Sequence, residues 1–259
     1  MGDLRMETTD AGRLPGIGMR LAFLALIVGL ACAACALGAG PGYRMQVLSL
    51  SAGLQTIRWA AIGAALGGAV AIFALVMRVV ARGRQGRALA IVALIVNGLV
   101  AIPPALLYER AQQLPHIHDI STDTADPPKF VAVLPLRAGA RNAVDYSPQT
   151  AIEQKRGYPD IAPLRLAASP ADAFERVARA VRSMGWDVVS VVPGDLRVEA
   201  TDTTWLFGFK DDVVVRIRPT SDGSVVDVRS LSRVGGSDFG VNAKRVRTLL
   251  RKIDEGVPS

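Results

Sequence analysis

Three uncharged apolar stretches lie within the first 107 residues, at about 21–40, 59–77 and 88–107, and they constrain this chain more than anything that follows. Each approaches the ~20 residues that an α-helix needs to cross the hydrocarbon core of a bilayer, and none contains an internal Asp, Glu, Lys or Arg. Residues 1–110 therefore read as a membrane anchor of three transmembrane helices. Gly63, Gly67 and Gly68 form a small-residue face on the second span, of the kind that lets helices approach closely. The competing reading is that alanine-rich and glycine-rich spans produce such spacings by composition alone.

Arginine placement orients the anchor. The segment between the second and third spans carries Arg78, Arg82, Arg84 and Arg87 and no acid, whereas the one between the first and second carries Arg44 and Arg58. Basic short loops stay in the cytoplasm. The N-terminus, with Arg5, Arg13 and Arg20, is then expected there too, and the third span delivers the C-terminal domain to the other side. In a bacterium the protein is expected in the inner membrane with that domain in the periplasm. The small residues Ala31 to Ala36 also resemble a signal-peptide cleavage region, and cleavage there would leave two spans without moving the domain. Cys32 and Cys35 have redox or metal spacing but sit inside an apolar segment, so they read as small apolar residues of a helix.

The net charge of +7 is topological rather than a sign of nucleic-acid binding. Residues 1–108 hold nine Arg against three acids, while residues 109–259 hold 21 Lys and Arg against 20 acids. A near-neutral domain lacks the one-signed face that phosphate binding requires, which excludes nucleic acid as a partner.

Residues 111–160, rich in Pro, Asp, Ala and Arg and without periodicity, read as an extended connector. Residues 161–256 read as a soluble α+β domain. Ser169 and Pro170 open a helix with Asp172 three residues after Ser169; Phe174, Val177, Ala178 and Val181 follow at helical spacing, and Gly185 ends it. Strands are expected at 186–192, 196–201, 213–218 and 225–231, with turns at Pro193-Gly194-Asp195 and Ser221-Asp222-Gly223. The alternation predicts an antiparallel meander with one wet face. A last helix from about Phe239 to Ile253 presents Val246, Leu249, Leu250 and Ile253 inward and Arg245, Arg247, Arg251 and Lys252 outward. The expectation is an antiparallel sheet of about four to five strands packed by two helices.

Several motifs recur in a recognisable order. They are His118-Asp119-Ile120-Ser121-Thr122-Asp123-Thr124 with Pro127-Pro128, Tyr158-Pro159-Asp160-Ile161, Met184-Gly185-Trp186, Thr204-Trp205 with the run Phe207 to Val213, Asp227-Val228-Arg229-Ser230 with Ser232-Arg233, and Gly240-Val241-Asn242-Ala243. This pattern resembles the domain of unknown function 1499 family across Pro115 to Ile253. The resemblance implies a bacterial envelope protein, with plastid relatives, with spans ahead of the domain and without an established activity. The architecture is also similar to the helix-grip domains of envelope lipoproteins, including one attached to the outer-membrane β-barrel assembly machinery.

Three groups of residues are candidates for function. Trp205, Phe207 and Phe209 alternate on a strand-like face beside Gly208, followed by Lys210, Asp211 and Asp212, a pattern that suits a ligand pocket or an apolar contact surface and equally suits a core under the sheet. His118, Asp119 and Asp123, with His116 and Asp126, supply imidazole and carboxylate groups for a cation or for acid–base work, or else turns that tie the connector down. Arg229 and Arg233, with Ser232, Ser237, Gly235 and Gly236, precede a helix N-terminus and suit an anion, unless Asp238 caps that helix itself. The expectation is a non-catalytic binding or scaffold domain for an envelope protein or an apolar, anionic or lipid ligand, without cofactor or metal. The alternative is a periplasmic hydrolase, metal-dependent or carboxylate-based, using His118, Asp119 and Asp123.

Overall fold

The computed structural model describes residues 16–81 and 86–256. Arg5, Arg13, Arg82 and Arg84, used above to orient the anchor, lie outside the described residues. The chain divides into two compact units, the first ending at Leu107 and the second beginning at Tyr108.

The first unit is built from α1 (Ile17–Arg44), α2 (Leu50–Val80) and α3 (Arg87–Gln112), each long and apolar enough to cross a membrane. All three outrun the apolar cores read from sequence. Consequently Arg58 lies within α2 rather than in a loop, and the α1–α2 connection shrinks to residues 45–49, with Ser49 capping α2 through Ala52 N at 3.1 Å. The surfaces that meet are made of small residues. α1 buries Gly18, Ala22, Ala25 and Gly29; α2 buries Ala60, Ala64, Gly67, Gly68, Ala71 and Ala74; α3 buries Ala90, Ala93 and Asn97. Apolar tails offer helices no hydrophobic gain on association, so close backbone approach and hydrogen bonds must supply it. Asn97 supplies the bond. It is fully buried, and its Nδ2 donates to Ala25 O at 2.9 Å and Ala93 O at 2.8 Å, joining α3 to α1. Its amide lies over Gly29 and Gly67, where a methyl group would strike it. Gly67 therefore has a packing role against Asn97 and Gly63 one against the Cys32 Sγ, while Gly68 is buried in ordinary contact.

The second unit contains β1 (Asp119–Ser121), a 3-10 turn (Pro135–Arg137), α4 (Pro148–Gly157), β2 (Leu164–Leu166), α5 (Pro170–Ser183), β3 (Asp187–Val192), β4 (Arg197–Thr203), β5 (Lys210–Thr220), β6 (Gly223–Ser232) and α6 (Val241–Glu255). The six strands form one antiparallel sheet in the order β1-β6-β5-β4-β3, with β2 also paired to β6. α5 forms as its sequence dictates: Ser169 Oγ accepts from Asp172 N at 3.2 Å, Pro170 takes the first turn, and Gly185 at φ +73° ends it. Its Phe174, Val177 and Val181 pack with Val246, Leu249 and Ile253 of α6 over Val198, Ala200, Val213, Val215, Ile217, Val226 and Val228 of the sheet.

Four expectations change. β1 and α4 lie in the stretch read as connector, because a three-residue strand has no period and α4 buries only Gln154 and so has no apolar stripe. The sheet face away from the helices is not wet, since residues 122–147 cross it and Phe130 and Val133 pack on Val214 and Leu231. Arg245 is buried rather than solvated, because it pairs with Asp202 and Asp211. Residues 204–209 are a turn between β4 and β5, not a strand. Thr204 O accepts from Gly208 N, and Thr204 Oγ1 accepts from Phe209 N, which bends the chain and breaks the expected alternation.

In the anchor, Gly67→Val is expected to cost about 1–3 kcal/mol by forcing the Asn97 amide aside. Asn97→Ala is expected to cost about 0.6–2 kcal/mol. Both are measurable by SDS titration of the full-length protein in micelles, and a neutral Gly67→Val would refute the close packing.

Candidate functional site

The strap formed by residues 122–147 is held to the sheet by buried charge-assisted hydrogen bonds, by neutral bonds such as those of Thr122 to Val228 and Asn142 to Ser232, and by the Phe130 and Val133 cluster. β-strand alternation sends Asp212, Val214 and Arg216 of β5 to the strap side and Asp211, Val213 and Val215 to the helix side. At the centre of the strap side Asp212 is fully buried. Its oxygens accept from Arg137 Nη1 at 2.5 Å, Arg233 Nε at 2.9 Å, Arg233 Nη2 at 2.8 Å and Thr201 Oγ1 at 2.7 Å. Burial alone would raise this carboxyl, but the donors from Arg233, Thr201 and Arg137 outweigh it and hold it below its ordinary value.

Beside it, Arg229 forms a two-pronged pair with Asp119 at 3.0 and 2.7 Å, donates to Val144 O at 2.6 Å and lies between the rings of Phe130 and Tyr146. Burial of Asp119 raises its carboxyl against the pull of Arg229. Burial and the Asp119 charge push the Tyr146 phenol up, so it stays protonated and donates to Gln154 Oε1 at 2.9 Å. Gln154 in turn bonds both backbone groups of Ser121 and so closes the exposed edge of β1.

Further along the sheet, Asp227 is shared by Arg216 and Arg218, which reach on to Asp126 and Asp123. Asp123 Oδ1 accepts from Ala125 N and Asp126 N; desolvation opposes, but these bonds and Arg218 hold its carboxyl low. The fully buried Glu199 accepts from three successive backbone N–H groups, those of Val131, Ala132 and Val133, at 3.0–3.2 Å. Such a nest ordinarily recruits an anion, and here the protein's own carboxylate fills it.

The residues singled out from sequence thus fall in separate places. Asp211 and Asp212 lie on opposite faces, Asp211 with Arg245 and Asp212 with Arg233. Asp119 pairs with Arg229, Asp123 with Arg218, and His118 Nδ1 lies 3.5 Å from Gly236 O, so these three do not converge on a common point. Among the described residues no group of three or more His, Cys, Asp or Glu side chains could hold a metal ion. Asp238 caps α6, accepting from Gly240 N at 3.1 Å and Asn242 N at 2.5 Å, and occupies the positive end proposed for an anion. Phe207 is buried and stacks on Phe209 with ring centres 5.0 Å apart, whereas Trp205 is 82% exposed and Lys210 is exposed. Sequence reasoning missed Arg137, Glu199 and Gln154, and the burial of Asp227 beneath Arg216 and Arg218. Only the placement of Glu199 and Asp227 among apolar strand residues hinted at burial.

Three helices long and apolar enough to cross a membrane, followed by an α+β domain with a charged strap sealing the second face of its sheet, define the architecture of a membrane protein. The family model described as protein of unknown function (DUF1499) matches residues 119–253, from the first residue of β1 into the last turn of α6, and the chain belongs to that family. No curated protein and no solved structure matches it.

Asp212→Asn leaves two guanidinium groups competing for one acceptor and is expected to destabilise the domain by about 3–5 kcal/mol, whereas Asp126→Asn, at an exposed pair, should cost under about 1 kcal/mol. Thermal unfolding of the full-length protein, followed in the near-ultraviolet, reads both. The stability contributed by Asp123 and Asp212 is present above the ordinary value of 3.8 and lost as pH falls through their lower folded values; Asp119 and Asp238, raised, run the other way. The acid limb of the stability curve should therefore be shallower in Asp212→Asn.

Proposed function

We propose that this protein is a bacterial inner-membrane protein, N-terminus in the cytoplasm, whose periplasmic domain is a non-catalytic binding or scaffold module for an envelope component. The orientation rests on the arginine-rich segment between α2 and α3, with Arg78 and Arg87 at the helix ends and Arg82 and Arg84 between them. The observation that carries the binding role is Trp205. A large ring 82% exposed at the tip of a turn is the feature most often found at recognition surfaces, and Lys210 stands beside it in sequence. The charged groups of the strap are committed to one another, which supports a scaffold rather than a reacting centre. The hydrolase reading needs His118, Asp119 and Asp123 to share a focus, and their partners draw them apart.

A photo-crosslinking residue in place of Trp205, in cells, is expected to capture a discrete envelope component, and an alkaline phosphatase fused after Gly256 is expected to be active. An inactive fusion would overturn the orientation. A stoichiometric metal in the purified full-length protein, lost on Asp119→Asn, would transfer the case to the hydrolase.

A further inference from the structure

Four of the domain's exposed apolar side chains, Trp205, Leu136, Phe239 and Val241, lie at one end of the sheet, with Val131, Leu134, Ile152 and Val188 also exposed in the domain. Strand register puts Asp187, Thr201, Asp212, Leu231 and Asp119 in one row across β3, β4, β5, β6 and β1. Beyond that row, on the same end, lie the Trp205 turn, the arriving segment 113–118, and residues 233–240, with Asp238 N bonded to Ile117 O at 3.1 Å. Trp205 is 82% exposed there, Phe239 45% and Val241 44%. Leu136, also exposed, joins them through its carbonyl, which accepts from Arg233 Nη1 at 2.6 Å. Phe239 also sits at φ +52°, a left-handed conformation costly for a bulky residue, and still turns its ring outward.

This is also the end at which the chain arrives from a membrane-spanning helix. Six residues, 113–118, follow α3 in sequence before β1, and Leu114 among them is packed against the domain core. The charge suits a lipid surface as well. Arg110, Arg141, Lys210 and Lys244 are exposed near this end, against the exposed Glu109 and Asp187 and a half-exposed Asp202 held by Arg245. Six of the domain's carboxylates but only three of its arginines are buried, so its surface is more basic than its sequence total.

We propose that this end of the domain is a bilayer-contacting surface, with Trp205 and Phe239 seated at the level of the lipid headgroups and Lys210 and Lys244 facing anionic headgroups. Trp and basic side chains are the residues that settle in that zone. The inference rests on the binding role of the Trp205 turn and names the lipid surface as what that turn meets.

The test uses the full-length chain carrying Trp59→Phe and Trp186→Phe, so that Trp205 is the sole tryptophan, reconstituted in vesicles of phosphatidylcholine and phosphatidylglycerol. Blue-shifted emission that loses intensity when the acyl chains are brominated, and resists aqueous iodide, is the expected result. Water-like emission, quenched by iodide and indifferent to bromine, overturns the lipid surface. Capture of an envelope protein by the same turn in cells would then leave the binding role standing without the bilayer. If Trp186→Phe disturbs folding, the same signal is read as the difference between Trp59→Phe proteins with and without Trp205→Phe.

Discussion

Everything on the strap side of the sheet depends on how the Asp212 carboxylate is satisfied. A buried carboxylate is tolerable only when donors replace the water it has lost, and four bonds from Arg137, Arg233 and Thr201 do so. Two of those donors come from opposite ends of the sequence of the domain, Arg137 from the strap and Arg233 from just beyond β6. Their meeting on one acceptor fixes the strap over the sheet, brings Phe130 and Val133 down onto Val214 and Leu231, and positions the nest that receives Glu199.

The anchor and the domain supply partners to buried polar groups by different means, though the Asn97 Oδ1 and the Arg137 Nε are left without one among the described residues. In the anchor one amide, that of Asn97, reaches across a seam of glycine and alanine to a backbone carbonyl. In the domain the partners are full charges, stacked on aromatic rings and anchored to strand positions that alternate with valine. Lipid would make the second device costly, whereas a partly hydrated domain can assemble it.

What was legible in the sequence was what repeats locally. The three spans could each be read from a window of about 20 residues, α5 with its Ser169 cap and the alternation of β4, β5 and β6 from shorter ones, and the motifs that resemble the family placed the domain. The strap's role could not be read so, because Arg137 and Asp212 are 75 residues apart and Asp119 and Arg229 are 110 apart. Polar residues on alternate strand positions look solvated whether water or a guanidinium faces them, which is why a wet face was expected. Of the candidate site, the sequence reads Lys210, Asp211 and Asp212 as one group, and only the start of β5 at Lys210, ahead of the expected residue 213, sends Asp211 and Asp212 to opposite sides; the bend that separates Trp205 from Phe207 arises from Thr204 bonding its own turn and leaves no trace in hydropathy.

The Glu199 nest and the β1–β6 pairing also impose an order of assembly. β1 and the strap are synthesised early in the domain, yet their partners, β4, β5 and β6, are made only after α4 and α5. Loop closure over such separations is slow and contributes nothing until both ends exist. The strap therefore stays unpaired, with its backbone donors open, until most of the chain has been synthesised.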